Sequence, residues 1–196
     1  MDEQEKKLPE QMPEKTPEEQ EEGQKGSAAF DWLQCVVAAL VACILIFVFV
    51  GRTVGVEGIS MQQTLIEGDR LIISRLFYTP KYGDIVVLRK DAFKDEPIIK
   101  RVIATEGQTV DIDFAAGIVY VDGAALDEPY ANTPTTVRED FSGPVTVPEG
   151  CVFVMGDNRN HSTDSRTEVI GCVDTRYILG KALFRLTPLE RIGSIY

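Results

Sequence analysis

The chain has a single histidine, His161, in 196 residues. That nearly excludes a His-built metal site and leaves any Ser–His–Asp triad with one candidate base. Cysteines are few. Cys35 and Cys43 fall in an apolar run and read as small buried hydrophobes, while Cys151 and Cys172 show no metal-ligand spacing. A disulfide between that second pair stays open for a body outside the cell. Positive charge is also short, with 31 Asp and Glu against 20 Lys and Arg, a net of −11. No basic block neutralises phosphates, so nucleic acid is not an expected partner. No cofactor and no metal are expected. From Val54 onward helical periodicity of useful length is missing, except for a turn at Met61–Ile66 and another at Thr175–Tyr177.

The charge that is present is uneven. Residues 1–31 carry ten acids and four lysines, with Leu8 and Met12 as the large apolar residues of the first 26 after the initial Met1. Such a segment buries too little surface to offset its ordering entropy, so 1–31 is expected to be a disordered acidic tail. Trp32 to Val50 then runs without a formal charge, with apolar residues on all sides. At 1.5 Å per residue this stretch spans about 28 Å, close to the hydrocarbon thickness of a bilayer. It is longer than a usual signal-peptide core and no small-x-small site follows cleanly, so 32–50 is read as a retained transmembrane helix. Lys15 and Lys25 precede it while Arg52, Arg70 and Arg75 follow, so charge counting leaves its orientation open.

Residues 51–196 form the body. Asp69–Ser74, Asp84–Arg89, Ile98–Thr105, Thr109–Ile112, Ile118–Val121, Cys151–Met155 and Leu179–Leu186 read as strands bounded by Gly-Asp and Asp-Gly turns. The expected fold class is mainly β and antiparallel. Asp127–Pro148 is Pro/Thr-rich and weakly patterned, and reads as a surface excursion.

Three places carry more polar specificity than a β core requires. Ser60 lies in a Gly-led turn ten residues past the apolar run. Turn serines usually bond only nearby backbone. Lys100 sits inside the apolar strand Pro97–Ile103, where it is either an edge lysine snorkelling to water or a buried amine. Burial favours the neutral amine and makes a lysine a usable base near neutral pH. Gly156–Arg166 packs Asp157, Arg159, Ser162, Asp164 and Arg166 into eleven residues after a short apolar strand. It reads either as a polar loop or as a scaffold of buried polar groups.

Ser60-Met61 with Thr64-Leu65, then Tyr82–Val87, Lys100–Ile103, Gly156–Arg159 with Ser162 and Asp164–Arg166, and finally Gly180–Ala182 resemble the ordered boxes of bacterial type I signal peptidases. The resemblance covers about Val54 to Leu186. It implies two antiparallel sheets and a Ser–Lys dyad, with Ser60 as nucleophile, the Ser60 backbone N–H as oxyanion donor and Lys100 as general base. Ser162 would orient the Lys100 amine, Asp164 and Arg166 would pair to support that wall, and Asp157 and Arg159 would brace the loop. The implied substrates are exported preproteins with small residues at −1 and −3, bound as an added strand. The implied location is the cytoplasmic membrane, single-pass, with the N-terminus inside, the catalytic domain outside, membrane lipid as a contact and a monomer as the unit.

Two positions depart from the family pattern. Gly58 stands where some members place a hydroxyl that supplies a second oxyanion donor. Gln63 stands where the family usually has proline, which would stiffen the turn. Other readings stay open: a preprotein-binding module with lapsed catalysis, a self-cleaving Ser/Lys relative like the LexA-type repressors, and a His161 base working with Asp164.

Overall fold

The computed structural model describes residues 30–44, 52–89 and 96–195. They belong to two units, a helix α1 over 30–44 and a β body, and each is described by itself. Every described residue of α1 is exposed, including Phe30, Trp32, Leu33, Leu40 and Ile44. Among the described residues no helix is long and apolar enough to cross a membrane. The expected continuation of the apolar run over 45–50, and the acidic tail over 1–29, lie outside the described residues.

The body contains twelve described strands. They are β1 (Arg52–Gly55), β2 (Arg70–Ser74), β3 (Ile85–Leu88), β4 (Ile98–Thr105), β5 (Thr109–Asp113), β6 (Ile118–Val121) and β7 (Ala124–Ala125). After the excursion come β8 (Val145–Thr146), β9 (Cys151–Met155), β10 (Val173–Asp174), β11 (Ile178–Thr187) and β12 (Gly193–Ser194). The seven expected runs all form strands. The five additional ones, β1, β7, β8, β10 and β12, have at most four residues, too few for alternation to show in sequence. Two antiparallel sheets result. The larger runs β1-β2-β11-β3-β4-β9-β10 with β12 beside β11, and the smaller runs β7-β6-β5-β8.

β4 is central because Ile98, Ile99, Val102 and Ile103 suit a pleated surface buried on both faces. Its neighbours follow the same logic, and every residue of β3 is buried. One apolar cluster joins Val87 and Ile99 to Met61, Leu65, Leu71 and Ile73. Another joins Val86 and Val102 to Val154 and Ile170. A third joins Ile103, Phe153 and Met155 to Val110, Ile112 and Val119 of the smaller sheet. Burial of a side chain of this size contributes about 2 kcal/mol, so these clusters fix the frame on which the polar residues are hung.

Register decides what meets what. Lys100 opposes Val86 on β3, and Arg101 opposes Met155 on β9. The loop that leaves β9 at Gly156 therefore begins beside Arg101. The excursion is less peripheral than its composition implied, since Thr135, Phe141 and Val147 are buried. The described cysteines form no disulfide, and Cys151 and Cys172 pack instead against the third cluster.

Candidate active site

Ser60 stands in the turn after β1, and one helical hydrogen bond, from the Leu65 N–H to the Met61 carbonyl at 2.8 Å, closes the following residues. Met61 and Leu65 anchor that turn in the core. Gly58 has φ +77°, and a Cβ there would meet nothing within 4 Å. Backbone conformation, not space, is what favours glycine at this position. Gln63 has φ +85°, a value closed to the proline ring, which holds φ near −65°. The departure at position 63 thus goes with a left-handed turn.

Lys100 Nζ lies 2.7 Å from Ser60 Oγ. Lys100 is 4% exposed. Burial pulls its amine down from 10.5 to about 8; the nearby Arg166 cation acts the same way, while the carboxylates of Asp164 and Asp157 oppose it. Those carboxylates do not reach the amine as ion-pair partners because arginines hold them. Asp164 bonds Arg166 through Nε and Nη2, both at 2.9 Å, and also accepts the Gly156 N–H at 3.0 Å. Asp157 accepts Arg101 Nε at 2.8 Å, Arg101 Nη2 at 2.6 Å and the Thr64 hydroxyl at 2.6 Å. Bidentate, charge-assisted pairs of this kind are strong and directional.

Ser162 Oγ is buried and has no hydrogen-bond partner among the described residues. It abuts Gly156, where a Cβ would stand 2.2 Å from Ser162 Oγ and 2.5 Å from the Ser60 carbonyl oxygen. Glycine is the residue that lets Ser162 and the Ser60 backbone close on one point. Arg159 turns away from Asp157 and forms a bidentate pair with Glu128 at 2.6 and 2.7 Å, with Thr135 Oγ1 at 3.0 Å. His161 ends a 3-10 turn and is exposed, so the described partner of Ser60 Oγ is Lys100 and not the histidine.

Several residues of this arrangement were not singled out in the sequence. Asn158 donates its N–H to the Ser60 carbonyl at 3.0 Å and its side-chain amide to the Ile59 carbonyl at 3.1 Å. Arg101 could have been found, because a second cation in a buried strand requires an internal counterion. Glu128, Tyr130 and Asn132 sit in the weakly patterned excursion and gave no signal. Burial and Glu128 push the Tyr130 phenol up, and the Arg101 guanidinium stacks 4.0 Å over its ring.

A cleft of about 420 Å³ includes the dyad in its lining, with Thr53–Gly55 of β1 and Pro97–Ile99 beside Ser60 and Lys100. Among the described strands β1 ends its sheet, so its outer edge offers backbone groups to an extended peptide. The Ser60 N–H has no acceptor among the described residues and is available to a developing oxyanion. Among the described residues no group of three or more His, Cys, Asp or Glu is placed to hold a metal ion.

Known proteins resemble this chain over most of its length. The family described as "Signal peptidase, peptidase S26" matches residues 29–187. A probable signal peptidase I-1 of Synechocystis sp. is 40% identical over 169 residues, covering 81% of this chain and 83% of its own. Signal peptidase I of Bacillus licheniformis is 35% identical over 179 residues, covering 86% and 94%. That of Bacillus caldolyticus is 36% identical over 184 residues, covering 87% and 97%.

Proposed function

The chain belongs to the peptidase S26 signal peptidase family and is a serine peptidase, and on that premise we propose that it removes N-terminal signal peptides from exported preproteins with a Ser60–Lys100 dyad. The observation that carries the mechanism is the 2.7 Å approach of a buried lysine amine to a turn serine. As the free base, Lys100 Nζ accepts the hydroxyl proton while Ser60 Oγ attacks the scissile carbonyl carbon. The oxyanion forms against the Ser60 N–H. Collapse of the tetrahedral intermediate breaks the C–N bond, and the Lys100 ammonium returns its proton to the leaving amine. Lys100 then deprotonates the water that hydrolyses the acyl-enzyme. Ser162, expected to orient the amine, is not bonded to it here, and the Asp164–Arg166 and Asp157–Arg101 pairs keep those carboxylates from pairing with the amine.

The peptide lies in the cleft as an added strand, with small residues at −1 and −3 toward its floor. The anchor is the apolar stretch 32–50, supported by the all-round exposure of apolar side chains on α1. The acidic tail stays inside, the body works outside as a monomer, and lipid meets exposed apolar residues such as Phe77, 98% exposed. The test is mass spectrometry of a preprotein after incubation with the full-length chain and its Ser60→Ala and Lys100→Ala variants. Cleavage after the small −1 residue is expected, slowed at least ~10³-fold in each variant. Unmodified rates in both would end the dyad reading. Tight preprotein binding without turnover by the unmodified chain would support the binding-module alternative instead.

A further inference from the structure

The turn that carries Ser60 is closed internally by backbone bonds from Gln62 to the Ile59 carbonyl at 3.0 Å and from Thr64 and Leu65 to the Met61 carbonyl at 3.1 and 2.8 Å. Gly58 at φ +77° and Gln63 at φ +85° flank it, and neither side chain stiffens it. Restraint at Ser60 itself is added from outside, through Asn158, whose backbone and side-chain N–H groups bond the carbonyls of Ser60 and Ile59 in succession. An asparagine amide can turn over about its last torsion, exchanging donor for acceptor. Only the orientation that points its NH₂ at Ile59 makes the second bond. Turned over, its oxygen would face the Ile59 carbonyl.

The partner that selects the orientation is Asn132. Its Nδ2 donates to the Asn158 side-chain oxygen at 2.8 Å, and its own N–H donates to the Asp157 carbonyl at 3.1 Å. Asn132 is held in turn by the start of the excursion, where Glu128 grips Arg159 and Tyr130 lies under Arg101. We propose that Asn132 is a positioning residue that fixes the Asn158 amide and, through it, the placement of Ser60 Oγ against Lys100. The excursion then contributes to catalysis although none of its residues touches the dyad. This inference rests on Ser60 being the nucleophile.

The test uses the full-length chain and a peptide with small residues at −1 and −3. Asn132→Ala removes the donor, and kcat is expected to fall about tenfold with KM within about twofold and the pH midpoint unmoved. Asn132→Asp keeps the size and the backbone bond but loses the donor, so it reads the same loss if the alanine variant does not accumulate. In the Asn158→Ala background, Asn132→Ala should cost nothing further, because the two act as one unit. Asn160→Ala is the control: Asn160 ties down the same excursion through the N–H groups of Thr136 and Val137, and its loss should leave kcat intact. An unchanged kcat for the Asn132 variants, additive losses with Asn158→Ala, or an equal loss in Asn160→Ala would overturn the proposal. Ser60→Ala, assayed beside them, reads the premise separately, since retained cleavage there removes the nucleophile itself.

Discussion

Lys100 and Lys181 stand in one row of the larger sheet. Lys181 on β11 opposes Val86 on β3, and Val86 opposes Lys100 on β4, so two lysines share a face two strands apart, roughly 10 Å. Their partners differ. Lys181 Nζ meets the Asp84 carboxylate at 2.6 Å, and Asp84 is further held by the Tyr78 hydroxyl and the Lys81 N–H. Lys100 Nζ meets a hydroxyl. Around it, Asp157 and Asp164 are spent on Arg101 and Arg166. One lysine is given a carboxylate, and the other is made a base by burial among carboxylates that arginines already hold. The sheet does both within one row.

The widest consequence of that contrast is in pH. With Lys100 drawn down to about 8 by burial, the free base is the minor form at neutral pH. The rate of preprotein cleavage should therefore rise about tenfold per pH unit from pH 6 and level off above about 8. A rate profile flat across that range would mean that Lys100 is partnered as Lys181 is, and the contrast would fall.

Stability gives the next test. The folded Lys100 amine lies below its ordinary 10.5. Between about 8 and 10.5 the unfolded chain holds more protons, so stability rises with pH across that window, and below it the cost of the buried charge is present in full. Lys100→Met should accordingly stabilise the full-length chain by about 3 kcal/mol at pH 7, and by about half of that at pH 9.5. Thermal unfolding of parent and variant at the two pH values measures it. Equal stability at both would show that the ammonium is not desolvated.

What the sequence made legible divides along the same line. Strands such as β4 and β9 carry enough Val, Ile and Phe to declare themselves, and Lys100 stands out as a cation inside one of them. Ser60 and the loop from Asp157 to Arg166 were readable as places of excess polarity. The arrangement of pairs was not. Asp157 and Arg159 are two apart in sequence, yet they bond Arg101 and Glu128. Asp164 and Arg166, equally spaced, bond each other. Spacing fixes neither outcome, because the partners are delivered by register between β4 and β9 and by the path of the excursion. Glu128 and Asn132 show this most plainly. Their segment has no hydrophobic period to place it, and its polar contacts exist only once both sheets are assembled.

The smallest effect belongs to the second lysine. Lys181 and Asp84 form a partly solvated pair, with 29% of the lysine side chain and 8% of the aspartate side chain exposed. Lys181→Met leaves Asp84 with the Tyr78 hydroxyl and the Lys81 N–H, so its charge stays bonded after the cation is gone. The expected loss is about 1 kcal/mol, between an exposed pair and a buried one stripped of all partners. Cleavage should keep its rate within about twofold and its pH midpoint unchanged, because the carboxylate of Asp84 that Lys181 meets is bonded to neither Ser60 nor Lys100. Unfolding in urea and a pH profile of the variant check both statements. A midpoint displaced upward on losing Lys181 would show that its positive charge, two strands away, also helps to hold Lys100 as the free amine, and the row would then have to be read as one electrostatic unit instead of two separate pairings.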